Sequence, residues 1–555
     1  MLRGAELLEQ GRAVAPKNRA TTAFLRLHGA ASEAEYKLRC RAQRRTMYHM
    51  HVGLSTWAQT EQALVEVSNA MAAEGYFVDR FGLALDRAMG VLESDRDLTA
   101  KETGPRLGPG EWARLGEAAP IQPHMGDFMI GFPSGFTNTL RALEAGVTTI
   151  GNIGQFTAFD LIGGSDEILV TEETVRALGA ISALRNQGVL AHSNLDDGSS
   201  TQARHFGGYV GWAALELYAV EELTGARLAH CFGNTIENPE SRAIVHFALD
   251  DIRGRDSIGS MIYGNTADYR VNSRARNTAV LSAQIMCDIA MTIRRPTGHA
   301  VNPVPLSEAE RIPSAAEIVE AHLLARELER EVRKAPDLCH WERLESVGAL
   351  VAEYAIEFRN RALAMFAADG IDTTDAAQVL LALRRTTMQD LERRLDFSAP
   401  PEVARLETWK AKHVRELTAR LRPTSKPLDR MRIVLAVLEV HDLVRDALAA
   451  TLPAAGAEVI LLGSNTPIEG LVRSATNEDA DAIVLGVYNG NALALGQQLM
   501  SGLSGTGWDG RVFMGGLLNQ DIGDGLPIDA RPDLRALGIQ CVDRAEDLVA
   551  LLAAN

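Results

Sequence analysis

Between residues 46 and 306, short apolar runs that end in polar or glycine clusters alternate with segments of helical period. Eight strands are predicted, near 46–53 (TMYHMHVG), 76–81 (YFVDRF), 119–124, 147–152, 188–194, 227–232, 258–264 and 299–304. Helical patterns follow most of them, as in SGFTNTLRALEAG at 134–146 and TEETVRALGAISALRNQG at 171–188. Eight strand–helix units predict a (β/α)8 TIM-type barrel, the catalytic domain, over 46–306. Residues 1–45 read as a helical arm, whose basic stretch YKLRCRAQRR (36–45) is expected to be a solvated face packed on the barrel. Residues 307–425 read as helical and charged. Trp341, Tyr354, Phe358, Met365 and Phe366 recur there at helical spacing, as core residues do. RPTSKPLD (422–429) has two prolines and no apolar period, and reads as a linker. From 429 to 555, strands at 431–438, 457–462, 482–487 and 511–514 alternate with helices, the pattern of a doubly wound, flavodoxin-like α/β domain.

Composition narrows the function classes. The 555 residues are 46% hydrophobic, enough for several folded domains and too apolar for disorder. A net charge of −16 argues against nucleic acid as a partner. No apolar run approaches the ~20 residues of a membrane span, and MLRGAELLEQ does not read as a secretory signal, so a cytoplasmic protein without membrane contact is expected. The five scattered cysteines form no CxxC pair, against a disulfide framework or a thiolate zinc site. No lysine occurs between Lys101 and Lys334, which argues against pyridoxal phosphate chemistry in the middle of the chain.

Polar residues recur where the barrel strands end. In a barrel those ends converge on one mouth. His124, Asp127, Asn152, Gln155, His192, Asn194, His230, Asn234, Tyr263 and His299 are therefore the candidate lining of a pocket for a small-molecule substrate. The set is rich in neutral hydrogen-bonding groups and poor in charge. A metal-hydrolase reading uses His49 and His51, alternate residues on one strand face, with His192 and His230. That set resembles the metal pattern of amidohydrolases, but the aspartate expected after the eighth strand is absent from HAVNPVP.

In the last zone the first strand runs into Glu439-Val440-His441-Asp442-Leu443-Val444, the third into Gly486-Val487-Tyr488 and then Gly490, and the fourth into Gly515-Gly516. This arrangement resembles the cobalamin-binding domains of adenosylcobalamin mutases and corrinoid methyltransferases. The resemblance implies that His441 is the lower ligand of the cobalt and that Glu439 hydrogen-bonds it and raises its donor strength. It also implies that Asp442, Val444, Gly486, Tyr488, Gly490, Gly515 and Gly516 line the corrinoid site. Three positions depart from the family pattern: Glu439 replaces aspartate, Val444 a glycine and Gly486 a serine.

Residues 131–160 and 214–234 further resemble the catalytic subunit of glutamate mutase (methylaspartate mutase). This implies an adenosylcobalamin-dependent radical isomerase, a carbon-skeleton mutase, working as a homodimer. That family clamps its dicarboxylic substrate with arginines, which these strand ends lack, so a different small acid or amino-acid-like substrate is expected. Methyl transfer from methylcobalamin is the alternative, with the helices of 307–425 as a cap. Against it, Cys231 is the only cysteine at a barrel strand end, too few for a zinc-thiolate site.

Overall fold

The computed structural model describes residues 3–99, 104–159, 161, 165–254, 258–337, 339–395, 397–423, 425–438, 442–463, 466–488, 490–520 and 527–554. The chain falls into two compact units, 1–159 with 165–409, and 410–555 with 160–164. The helical arm and most of the helical zone thus belong to the first unit.

Unit 1 contains β1 (Met47–Val52), β2 (Arg80–Leu83), β3 (Gln122–His124), β4 (Thr149–Ile150), β5 (Leu190–Asn194), β6 (Leu228–Cys231), β7 (Met261–Tyr263) and β8 (Ala300–Asn302). All pairings are parallel. One sheet has the order β3-β2-β1-β8-β7 and another β4-β5-β6. Parallel bridges Met125–Ile150 and Phe232–Ile262 join the two sheets, so the pairings close into a ring. The second strand begins later than the sequence pattern predicts. The reason is Asp79, whose carboxylate takes the Tyr36 hydroxyl (2.5 Å) and the Tyr48 amide (2.7 Å), holding the chain by a side chain just before the ladder begins.

Alternation along β1 sorts its residues. Tyr48 faces outward, its hydroxyl 2.8 Å from Glu329 on the helix Ala315–Lys334, so His49 and His51 face the ring interior. At the opposite, amino-terminal end of the strands lies the helix Glu33–Ala42. Its Lys37 donates to the carbonyls of Gly259 (2.6 Å) and Ser260 (2.8 Å). Glu33 accepts from Thr149 (2.9 Å) and pairs with Lys37 (3.3 Å) and Arg80 (3.2 Å), all of them buried. The stretch expected to be solvated is therefore partly a buried plug. Charges survive there because each meets a partner or a carbonyl, and burial still lowers the Lys37 ammonium to about 7. Trp341, Tyr354, Phe358 and Phe366 of the helix Trp341–Ala368 are buried in the core of this unit.

Unit 2 contains β9 (Arg432–Val437), β10 (Glu458–Leu461), β11 (Ala482–Val487), β12 (Arg511–Gly516), the short antiparallel pair β13 (Asn519–Gln520) and β14 (Ile528–Asp529), and β15 (Gln540–Val542). The parallel sheet has the order β10-β9-β11-β12-β15, the 2-1-3-4-5 order of flavodoxin-like folds, in which ligands sit beyond the carboxyl ends of the strands. β15 escaped the sequence pattern because it is three residues long and only Val542 is buried. Among the described residues no helix is long and apolar enough to cross a membrane.

Candidate functional site

Four imidazoles gather inside the ring of unit 1. His49 Nε2 lies 3.2 Å from His51 Nδ1. The ring of His49 is 5.9 Å from that of His124, which is 4.4 Å from that of His192. The strand register brings them together, since His49 pairs with Arg80, and Gly82, two residues on, with His124. Gly82 has no side chain to fill the space beside His49 and His51. Burial, and then the Arg80 guanidinium, hold His49, His124 and His192 well below the usual imidazole range and His51 at about 4. All four are neutral near pH 7.

Past the strand ends, two carboxylates are oriented by two amides. The helix Ile153–Ala158 is capped by Asn152, whose Oδ1 accepts from the Gln155 amide (3.4 Å) and from the Asn194 amide (2.9 Å). Asn152 Nδ2 donates to Asp197 (2.8 Å), and Gln155 Nε2 donates to Asp127 (3.1 Å). Burial and the neighbouring Asp197 push the Asp127 carboxyl up to about 7, and burial pushes Asp197 to about 6. Tyr263, its ring 5.2 Å from that of His51, is held well above the usual phenol range by burial and then by the charges of Glu308, Asp127 and Asp197. His51, Tyr263, Asp127 and Asp197 thus belong to one enclosure.

Other expected lining residues do different work. His230 faces outward and its Nε2 lies 3.0 Å from Glu216, on the helix Phe206–Leu217, with both side chains buried. Alternation explains this: Cys231, the next residue, packs in one cluster with Met47, Met261 and Ala300 of other strands, so its neighbour must turn away. His299 precedes β8, at the wrong end of the strand. It contacts Thr297 (2.6 Å) and packs on Phe232 and His246. Asn194 accepts from the Asp196 amide (3.2 Å) and its side chain also hydrogen-bonds Asp197, while Asn234 accepts from Thr266 (2.9 Å) and serves loop geometry. With His230 turned away, the four-histidine metal set does not assemble. Among the described residues no group of three or more His, Cys, Asp or Glu is arranged to hold a metal ion.

Sequence reasoning missed Arg80, the fixed charge beneath the imidazoles. Its signal was an arginine in a short apolar strand, two residues before a glycine. It also left Asp197 outside the chosen lining.

In unit 2 the signature glycines of two loops turn out to be neighbours. Gly486 pairs with Gly515 and Val487 with Gly516 at the carboxyl ends of β11 and β12. Gly516 has φ +112°, and a Cβ there would stand 2.2 Å from the Val487 carbonyl oxygen, so only glycine fits. The result is backbone free of side chains, over which lies the Tyr488 ring, 3.1 Å from that Cβ position and 3.3 Å from the one at Gly486. A large flat ligand could come close to this backbone only by displacing the Tyr488 ring or stacking on it. Gly490, with φ +75°, turns the following loop. Asp442 and Val444 also have partners within the protein. Asp442 is paired with Lys410 (2.7 Å) and Arg445 (3.1 Å), and Val444 packs on the core around Leu417 and Leu448. Glu439 and His441 lie outside the described residues.

No family model matches the chain, and no curated protein does. Among solved structures it is similar in part to a cobalamin-binding protein from Desulfitobacterium hafniense DCB-2, with 19% identity over 35% of this chain and 88% of that chain, at a TM-score of 0.21. It is also similar to a fungal multi-domain GH3 beta-N-acetylglucosaminidase with a GCN5-related glucosamine N-acetyltransferase region, with 11% identity over 92% of this chain and 59% of that one, at a TM-score of 0.26. Both likenesses are distant.

Proposed function

We propose that unit 1 is a (β/α)8 TIM-type barrel, that unit 2 binds a cobalamin, and that the chain is an adenosylcobalamin-dependent radical isomerase of a small acid or amino-acid-like substrate. The observation that carries the cobalamin reading is the pairing of Gly486 with Gly515 at the ends of neighbouring strands in a 2-1-3-4-5 sheet. It supports the loop signature by making one bare cradle from two separate loops. The ring of parallel pairings supports the barrel reading.

Bound adenosylcobalamin supplies a carbon radical that removes a substrate hydrogen and later returns it. The chain's own residues have other tasks. As the resemblance implies, His441 would hold the cobalt and Glu439 would hydrogen-bond that imidazole and raise its donor strength. In unit 1 the neutral imidazoles and the amide-held carboxylates offer fixed hydrogen-bonding partners. They hold a substrate in one orientation and close its site to water, as radical chemistry requires.

Two measurements on the full chain test this. Titration with adenosylcobalamin is expected to give a saturable change in the visible spectrum, and the reduced complex to show imidazole-nitrogen hyperfine coupling that His441→Ala abolishes. A spectrum unchanged by the substitution removes the ligand assignment. With 5′-tritiated adenosylcobalamin, turnover of the right small acid or amino acid carries tritium into product. Turnover with methylcobalamin alone, with all tritium retained, would make the protein a methyltransferase.

A further inference from the structure

In unit 2, Asn491 stands at the entrance of the helix Ala492–Leu503, yet its side chain does not cap that helix. An asparagine in this position ordinarily accepts from the second or third amide of the helix. Here the third amide, that of Ala494, goes to Gln520 Oε1 (3.2 Å) on β13, whose backbone bridges Asn491. Gln520 does the capping, and the Asn491 carboxamide is left over. Its Oδ1 is buried and accepts no hydrogen bond among the described residues.

A second asparagine repeats the pattern on a different loop. Asn519 Oδ1, next to Gln520 in β13, is also buried without a donor. Both residues follow directly on the paired glycines. Leu517, the residue after Gly516, donates its amide to the Val487 carbonyl (2.9 Å), and Gln520 then pairs with Asn491 on one side and Ile528 on the other. This ribbon is open to a ligand, since Leu517 is 46% exposed and Ile528 43%. Apolar area and two unsatisfied carboxamides thus meet at the carboxyl ends of β11 and β12. A buried carbonyl oxygen without a donor is costly unless a ligand supplies one.

We propose that Asn491 and Asn519 bind primary carboxamides at the rim of the ligand of unit 2, so that this unit selects a fully amidated corrinoid. A primary carboxamide brings both N–H donors and an acceptor oxygen. It therefore pairs edge to edge with an asparagine side chain whichever way that side chain is turned. The rim of a cobalamin carries several such groups. An ester at the same place has no donor and leaves the asparagine oxygens unsatisfied. The inference rests on reading unit 2 as the cobalamin site, and it names the groups on the ligand that two residues outside the loop signature recognise.

The test is equilibrium dialysis of the full chain against three probes: adenosylcobalamin, dicyanocobinamide and the heptamethyl ester of dicyanocobyrinic acid. The last two have no nucleotide tail, and cyanide on both faces of the cobalt keeps any imidazole from it. They differ only at the rim, where one carries amides and the other uncharged esters. Cobinamide is expected to bind about tenfold tighter than the ester, the worth of one or two hydrogen bonds. The double variant Asn491→Leu/Asn519→Leu keeps side chains of similar size without polar atoms. At an unchanged circular dichroism spectrum it should bind cobinamide about tenfold more weakly and the ester within about threefold of wild type. The wild-type comparison stands by itself if the variant does not fold. Equal binding of the two rim probes to wild type, or a folded double variant that keeps the wild-type preference, overturns this assignment. Adenosylcobalamin bound in that same experiment leaves the cobalamin reading standing. Binding of none of the three ends the cobalamin reading, and this inference with it.

Discussion

The strand ends of the two units are built on opposite plans. In unit 1 side chains make the site: four neutral imidazoles, two carboxylates and two amides are turned into an enclosure above a buried Arg80. In unit 2 backbone makes it, by removing side chains at Gly486, Gly515 and Gly516, while the nearby charges of Asp442, Lys410 and Arg445 neutralise one another. On the function proposed above, the first plan would suit hydrogen-bonding groups on a small molecule. The second offers area and closeness to something large. A chain with both is expected to handle a small substrate with one unit and a bulky cofactor with the other, and substitutions should behave differently in each.

The largest expected effect tests whether unit 1 depends on buried charge. Arg242 donates to Asp288 (2.8 and 2.6 Å) and to the carbonyls of Gly233 (2.6 Å) and Tyr263 (2.8 Å), tying the ends of β6 and β7 to the helix Arg274–Arg294, with both charged groups buried. Arg242→Met leaves Asp288 charged and unpaired, which costs about 3–5 kcal/mol in urea unfolding. A loss under about 1 kcal/mol would show that the strand ends do not need this anchor.

Next come the glycines of unit 2. Gly516→Ala forces a Cβ onto the Val487 carbonyl at a positive φ and should destabilise the unit by about 1–3 kcal/mol. Gly486→Ala meets its neighbours only at 3.3 and 3.4 Å, so the fold should hold with a loss under about 1 kcal/mol, while cobalamin affinity falls about tenfold because the cradle is filled. Equal cobalamin affinity in Gly486→Ala and wild type, read from spectral titration, would break the claim that bare backbone makes this site.

The acids of unit 1 give a pH signature of known sign. Asp127 and Asp197 are raised to about 7 and about 6, against about 4 in an unfolded chain. Between these values the folded protein binds more protons, so stability falls as pH rises through roughly 4 to 7. Asp127→Asn and Asp197→Asn remove that penalty. Between pH 5 and pH 8 in urea unfolding, Asp127→Asn should gain on wild type by about 2–3 kcal/mol and Asp197→Asn by about 1 kcal/mol. A gain that is the same at both pH values would place the carboxylates in solvent.

These contrasts also explain what the sequence could disclose. The strand count and the helical zone were legible because apolar runs and helical period repeat many times, and each repeat checks the last. His49, His51, His124 and His192 were legible as strand residues near the carboxyl ends. What failed was parity. His230 stands in LAHC, where every residue is buried, so no polar alternation marked which side it faced, and it turned to Glu216 instead of inward. His299 sits one residue before a strand of three, and its level along the strand is fixed by contact with Thr297. Lys37 looked like a surface charge because a buried ion pair on a helix, here with Glu33, has the same spacing, four residues apart, as an exposed one. In unit 2 the glycine loops were readable, but their direct pairing depends on the register of β11 against β12, which no local pattern carries.

The smallest expected effect is the most pointed for unit 2. Asp442 directly follows His441, and the resemblance alone would count it among the cofactor residues. Its carboxylate lies 2.7 Å from Lys410 Nζ and 3.1 Å from Arg445, and Asp446 shares both cations, at 2.9 Å and 2.5 Å. With Asp446 still in place, Asp442→Asn leaves neither cation without a carboxylate. The cost should stay under about 1 kcal/mol, because each buried cation keeps a carboxylate and the Asn amide oxygen can still accept. Cobalamin affinity should change less than twofold. A tenfold loss of affinity with stability intact would mean that charge, and not backbone alone, receives the cofactor, and the two units would then share a plan.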